Sequence, residues 1–229
     1  MTAAPHCNRI AAVPVVLVLL AGLVGGVGTM VSAGVLWSAS LEGVGNAMAV
    51  AVETSVVEEV LFRGVVLWGL IAWWGRGCTK QAATKQAATK QAATKHAVIA
   101  SAVLFGVLHL APDGPLVSES AWAAAEATGA PWLILAGQAV LKVVQATLFG
   151  VIMARFVVRS PWFQEAGWQR ARSLLVPLVI HFAFDMLYLG IPLCAGLSLP
   201  DSYLTGSVGD MATLALTAFL LALALKADC

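Results

Sequence analysis

The chain has 229 residues, of which 60% are hydrophobic and only 11% charged, with a net charge of +1 and a mean hydropathy of +0.88. Soluble domains carry about a quarter charged residues, so this balance excludes an ordinary soluble domain and predicts an all-α, polytopic membrane bundle. No basic patch interleaved with aromatics is present, which excludes a nucleic-acid partner.

Six apolar segments follow in chain order: Ile10–Val35, Val44–Trp74, His96–Ala111, Trp132–Val158, Leu174–Gly190 and Thr205–Leu225. A span needs about 20 apolar residues, so the third and fifth are short, and the second is long enough to tilt or protrude. The loops alternate in charge. One side holds Arg9, then Arg76 with Lys80, Lys85, Lys90 and Lys95, then Arg155, Arg159, Arg170 and Arg172, and finally Lys226. The other holds Glu42, then Asp113, Glu119 and Glu126, then Asp201 and Asp210. By the positive-inside rule both termini are cytoplasmic. The first span has some outline of a signal peptide, with Arg9 ahead of it and Val31-Ser32-Ala33 like a cleavage site, but it is longer than a signal core.

Between the second and third segments, Thr79–Lys95 repeats TKQAA three times and adds Thr94-Lys95. Its composition favours helix, and a five-residue step turns about 140° beyond a full turn, so its lysines spiral and build no single face. It reads as a solvated cytoplasmic spacer; attraction of a basic strip to anionic lipid is the sharper alternative. Trp68, Trp73 and Trp74 form an interfacial belt at the same end. Cys7, Cys78, Cys194 and Cys229 lie far apart and predict neither a disulfide framework nor a zinc knuckle.

The chemistry lies in three motifs on separate segments: Glu58-Glu59-x-x-x-Arg63, Phe105-x-x-x-His109 and His181-x-x-x-Asp185. Each charge near a bilayer centre costs about 2.5–3.5 kcal/mol on insertion scales, so these groups are expected to face one another inside the bundle. Glu59 and Arg63 are one helical step of four apart and can pair. Glu58 lies about 100° round from Glu59 and is left free to act as a general base. Asp185 can accept a hydrogen bond from His181 and fix its tautomer. Gly64 and Gly106 adjoin the motifs and allow close helix packing. Such a set can activate water and stabilise an oxyanion, with or without a metal. Glu53 and Lys142 also lie within apolar segments and belong to none of the motifs, while His6 and His96 read as ordinary. A proton-coupled transporter could use the same groups as a relay, although no two-fold repeat of helices is visible. A haem held by His109 and His181 would leave the Glu-Glu-Arg motif unexplained.

In order and spacing, EExxxR, FxxxH and HxxxN/D resemble the CPBP family of intramembrane endopeptidases, which includes the type II CAAX prenyl proteases. The resemblance runs from Glu58 to about Tyr188 and includes Gln145-Ala-Thr-Leu-Phe-Gly150. It implies Glu58 as the base that activates water, Glu59 and Arg63 as its supporting pair, His109 as a further catalytic member, and His181 with Asp185 at the oxyanion. The family has been described both as metal-dependent and as glutamate-type. A divalent ion such as zinc would draw on Glu58, His109, His181 and Asp185. Asp185 stands where the prenyl-protease branch has Asn; an ionised Asp cannot donate to an oxyanion, so it is expected to orient His181 or bind a cation. Zinc-protease HExxH, serine-type GxSG and aspartyl GxGD motifs are absent.

The expected organisation is an N-terminal span with its outer loop (1–43), a protease core (44–190, with 79–95 as spacer) and a C-terminal span (191–229). The expected partners are the lipid bilayer and a membrane-embedded or membrane-anchored protein or peptide substrate, in a bacterial-type plasma (inner) membrane. A non-catalytic immunity or scaffold protein is the alternative.

Overall fold

The computed structural model describes residues 12–35, 39–76, 83–110, 115–198, 202 and 204–227. Within them the chain is helical, the sole strand-like feature being an isolated bridge between Val117 and Leu204. The helices are α1 (Ala12–Ser32), α2 (Leu41–Glu58), α3 (Leu67–Gly75), α4 (Ala83–Leu108), α5 (Glu119–Glu126), α6 (Pro131–Arg159), α7 (Trp168–Ala171), α8 (Leu175–Asp185), α9 (Ile191–Cys194) and α10 (Val208–Ala227). Five runs are long and apolar enough to cross a bilayer: Ala12–Ser32, Ala88–Leu108, Pro131–Arg159, Trp168–Cys194 and Val208–Ala227.

The second expected segment is one unbroken helical run, α2 through a π-helical stretch at Glu59–Val66 into α3. It falls outside those five, and it carries Glu42, Glu53, Glu58, Glu59 and Arg63. Ser40 caps its start, its hydroxyl accepting from Gly43 N at 2.9 Å. A second π-helical stretch, Met186–Gly190, joins α8 to α9. Wide turns of this kind recur inside helices at functional sites.

The two short segments lengthen in the fold. α4 continues the third one backwards into the repeat, so that residues from Ala83 onward are helix and Ala93 is buried. The repeat from Ala83 is thus helical, as its composition predicts, and runs on into the span, with Lys90, Gln91 and Lys95 exposed. The fifth segment is prolonged at both ends into Trp168–Cys194. Residues 79–82 lie outside the described part of the chain.

Small residues set the closest crossings. A Cβ on Gly106 of α4 would overlap Thr147 Oγ1 and stand 2.7 Å from the Val143 carbonyl, both on α6. On α1, side chains at Gly25 and Gly26 would run into Tyr188 and the Leu187 carbonyl. Gly64 differs: the nearest atom to its added Cβ is Leu174 Cδ1 at 3.5 Å, an ordinary contact, so it marks no tight crossing. The main core gathers Val18, Phe62, Phe105, Phe149, Met153, Ile180 and Phe184 from α1, the π turn after α2, and α4, α6 and α8. A second cluster of Leu67, Ala97, Val98, Ala154, Val157 and Phe163 packs α3, α4 and α6 below it.

Candidate active site

Glu59 and Arg63 sit on the π-helical stretch. Residues four apart are about 40° out of line on an α-helix, and the wider turn brings them nearer to eclipse. Arg63 Nε lies 3.3 Å from Glu59 Oε2, and both side chains are buried. The guanidinium lies over the Phe105 ring, 4.4 Å from its centroid, a desolvated cation–π contact of the kind that contributes about 2 kcal/mol. Its two terminal nitrogens find no acceptor among the described residues.

The other oxygen of Glu59 reaches across to α8. Glu59 Oε1 accepts from His181 Nδ1 at 2.7 Å. The partner of Nδ1 is thus Glu59; Asp185 lies on the opposite edge of the ring, with Oδ2 3.4 Å from Nε2. Glu58 Oε2 approaches the same Nε2 at 3.5 Å, from a side chain 27% exposed. A bare nitrogen lone pair facing two carboxylate oxygens would be repelled by both, so this edge of the ring favours a proton on Nε2. That is a property neither residue type nor spacing reveals. Phe149, whose ring centre is 4.8 Å from that of His181, and Phe105 at 6.5 Å hold the imidazole edge-on.

His109 lies in the turn that follows α4. Its Nδ1 donates to the Phe105 carbonyl at 2.8 Å, which leaves Nε2 as an acceptor, and its ring stands 4.4 Å from the Phe105 ring. Thr54, one helical step of four before Glu58, brings Oγ1 within 2.6 Å of Asp185 Oδ2. Sequence reasoning missed this residue, although the i, i+4 spacing that linked Glu59 to Arg63 reaches it too.

Glu58, His109, His181, Asp185 and Thr54 line one cavity of about 550 Å³. Glu59 and Arg63 do not line it; they stand behind His181 as its buried support. Lys142 and Asp210, neither part of a motif, lie on the far wall and interact electrostatically. Glu53 is on the exposed face of α2. Among the described residues no three His, Cys, Asp or Glu side chains are disposed to hold a metal ion. Around one nitrogen, His181 Nε2, stand Glu58 Oε2 at 3.5 Å and Asp185 Oδ2 at 3.4 Å.

A bundle of apolar, membrane-length helices closed around carboxylates, imidazoles and a buried arginine defines an integral membrane protein with a buried polar cluster at its centre. The chain belongs to the type II CAAX prenyl endopeptidase Rce1-like family, whose model matches residues 14–187, well over half its length. No curated protein and no solved structure matches it. Membership makes it a relative of intramembrane endopeptidases of the CAAX type.

Proposed function

We propose that the protein is a glutamate-dependent intramembrane endopeptidase of a bacterial-type plasma membrane, hydrolysing a peptide bond in a membrane-anchored protein or peptide. The observation that carries this reading is the convergence of Glu58, His109 and His181, from three different helical runs, on one cavity. Of the two motif carboxylates on the cavity wall Glu58 is the more exposed, 27% against 8% for Asp185, and a base must be reachable by water and substrate. It removes a proton from water, and His109, with Nε2 open as an acceptor, helps to orient that water. The water oxygen bonds to the carbonyl carbon as the carbonyl π bond opens to an oxyanion. The proton on His181 Nε2 stabilises that oxyanion. When the carbon–nitrogen bond breaks, Glu58 returns the proton it took to the leaving amine, and the site is restored.

Glu59 and Arg63 take no proton in this scheme. They hold the ring of His181 by Nδ1, as the orienting carboxylate of a catalytic triad does. Asp185, fastened by Thr54, sets the other edge.

The test compares protein termini in cells expressing wild type or Glu58→Gln at matched levels. New termini that arise only with wild type establish proteolysis and identify the substrate. Identical sets, with both proteins inserted and folded, refute the reading in favour of a binding or transport role.

A further inference from the structure

We propose that a second cavity, at the basic end of the bundle, is a binding site for an anionic phospholipid whose phosphate is held by Trp68, Lys90 and Arg170. The site is separate from the cavity that holds Glu58, and the proposal does not depend on proteolysis.

This cavity, of about 440 Å³, lies between α3, α4 and the turn that leads from α6 into α7. Its depth in the membrane follows from the ends of three membrane-length runs. Ala88 begins one, Arg159 ends another and Trp168 begins a third. On the cavity wall, Lys90, Phe163 and Arg170 stand two, four and two residues from those ends. A wall built where spans end lies at the level of lipid headgroups, the level at which tryptophans gather. Trp73 and Trp74, both exposed, stand on α3 between the lining residues Ala72 and Gly75.

The wall brings together one neutral donor and two cations. The indole nitrogen of Trp68 is buried with no acceptor among the described residues, and such a group calls for a partner. Arg170 holds its guanidinium 5.9 Å from the Trp68 ring centre and 6.0 Å from that of Phe163. Its Nε donates to the Phe163 and Glu165 carbonyls at 3.2 and 3.0 Å, which fixes the group and leaves its two terminal nitrogens to bind. Lys90 is exposed on the facing helix α4. Neither cation is paired with a carboxylate among the described residues.

This donor set suits a phosphate. Beside it, Ile71, Ala72 and Phe163 make an apolar wall. A free phosphate gains nothing from that wall, whereas a lipid lays its glycerol and first methylenes against it. Charge and apolar surface together at headgroup depth therefore select the lipid. Trp68 follows Arg63 by five residues in the unbroken run from α2 into α3, so a bound lipid braces the element that carries Glu59 and Arg63.

The experiment reads binding and needs no catalysis. The full chain is purified in micelles containing phosphatidylcholine, and its unfolding midpoint is followed as dioleoylphosphatidylglycerol is added. A ligand of the folded state raises the midpoint, and the dependence on its amount gives an apparent affinity. Phosphatidylglycerol is expected to raise the midpoint, and equal amounts of further phosphatidylcholine or of inorganic phosphate are expected to leave it unchanged. Lys90→Gln removes a charge, and Trp68→Phe removes the N–H while keeping an aromatic ring. Neither breaks a side-chain hydrogen bond among the described residues, and the midpoint without phosphatidylglycerol checks that each is folded. Each is expected to weaken the lipid affinity about fivefold, the loss of one such bond. Lys95→Gln removes the same charge from an exposed repeat lysine outside the cavity and is expected to bind as wild type. Equal shifts with the two lipids, or a matching shift with inorganic phosphate, overturn the proposal. An affinity loss in Lys95→Gln as large as that in Lys90→Gln also overturns it, since the attraction would then be spread over the basic end. Wild-type affinity in folded Trp68→Phe or Lys90→Gln does the same.

Discussion

Glu58 and Glu59 are neighbours of identical chemistry with different surroundings. Glu59 is wholly buried between Arg63 and His181, while Glu58 faces the cavity. Changing Glu59 to Gln leaves the Arg63 charge buried without its counter-ion, a loss of about 3–5 kcal/mol. Thermal unfolding in detergent is expected to show a large fall for Glu59→Gln and little change for Glu58→Gln, whereas activity is lost in both. Equal stability of the two variants would remove the distinction between support and base. Thr54 gives a milder case. Thr54→Val keeps the shape and deletes the hydroxyl that meets Asp185 at 2.6 Å, so kcat is expected to fall about tenfold, one hydrogen bond of about 1.4 kcal/mol, with stability little altered. Thr54→Ser is expected to restore it; a failure to do so would point to packing by the methyl group.

At the level of elements, the site depends on how closely α4 approaches α6 and on two π-helical stretches. Gly106 is fitted against α6, so Gly106→Leu must part the helices and is expected to cost at least the 1–3 kcal/mol typical of overpacking, read as a lower unfolding temperature. Gly64→Ala meets only an ordinary contact and is expected to be neutral or slightly stabilising, since Ala is the better helix former. The sequence placed both glycines beside a motif and could not separate them, because the tight crossing is a property of the partner helix. The π turns were equally invisible. Residue order from Glu58 to Arg63 is compatible with an ordinary helix, and only packing of Glu59 against α8 distinguishes the wide turn.

For the molecule as a whole, the summed charge asymmetry of the loops decides insertion. Because the TKQAA units are identical, excising one leaves Ala93 and its neighbours against α3 and α6 with the same sequence and shortens only the connection from α3. One lysine fewer leaves the basic side basic. Stability is therefore expected to stay within about 0.5 kcal/mol and orientation to be unchanged, as read by unfolding and by protease protection. Inversion of the protein on losing one unit would mean that the repeat, and not the sum of the basic loops, sets topology.

Composition by itself determined the membrane bundle, since no soluble surface can be made from so few charges, and hydropathy located five of the apolar runs, starting the third eight residues late and the fifth six residues late. Spacing of four, together with the order of the motifs, marked out Glu58, Glu59, Arg63, His109, His181 and Asp185, because helical periodicity is local and can be counted along the chain. The tertiary structure alone decided which carboxylate holds which nitrogen of His181, that Thr54 reaches Asp185, and that Lys142 and Asp210 share the cavity wall. Each of these is a contact between segments far apart in the chain, fixed by how the helices cross, and helical spacing carries no information about the crossing.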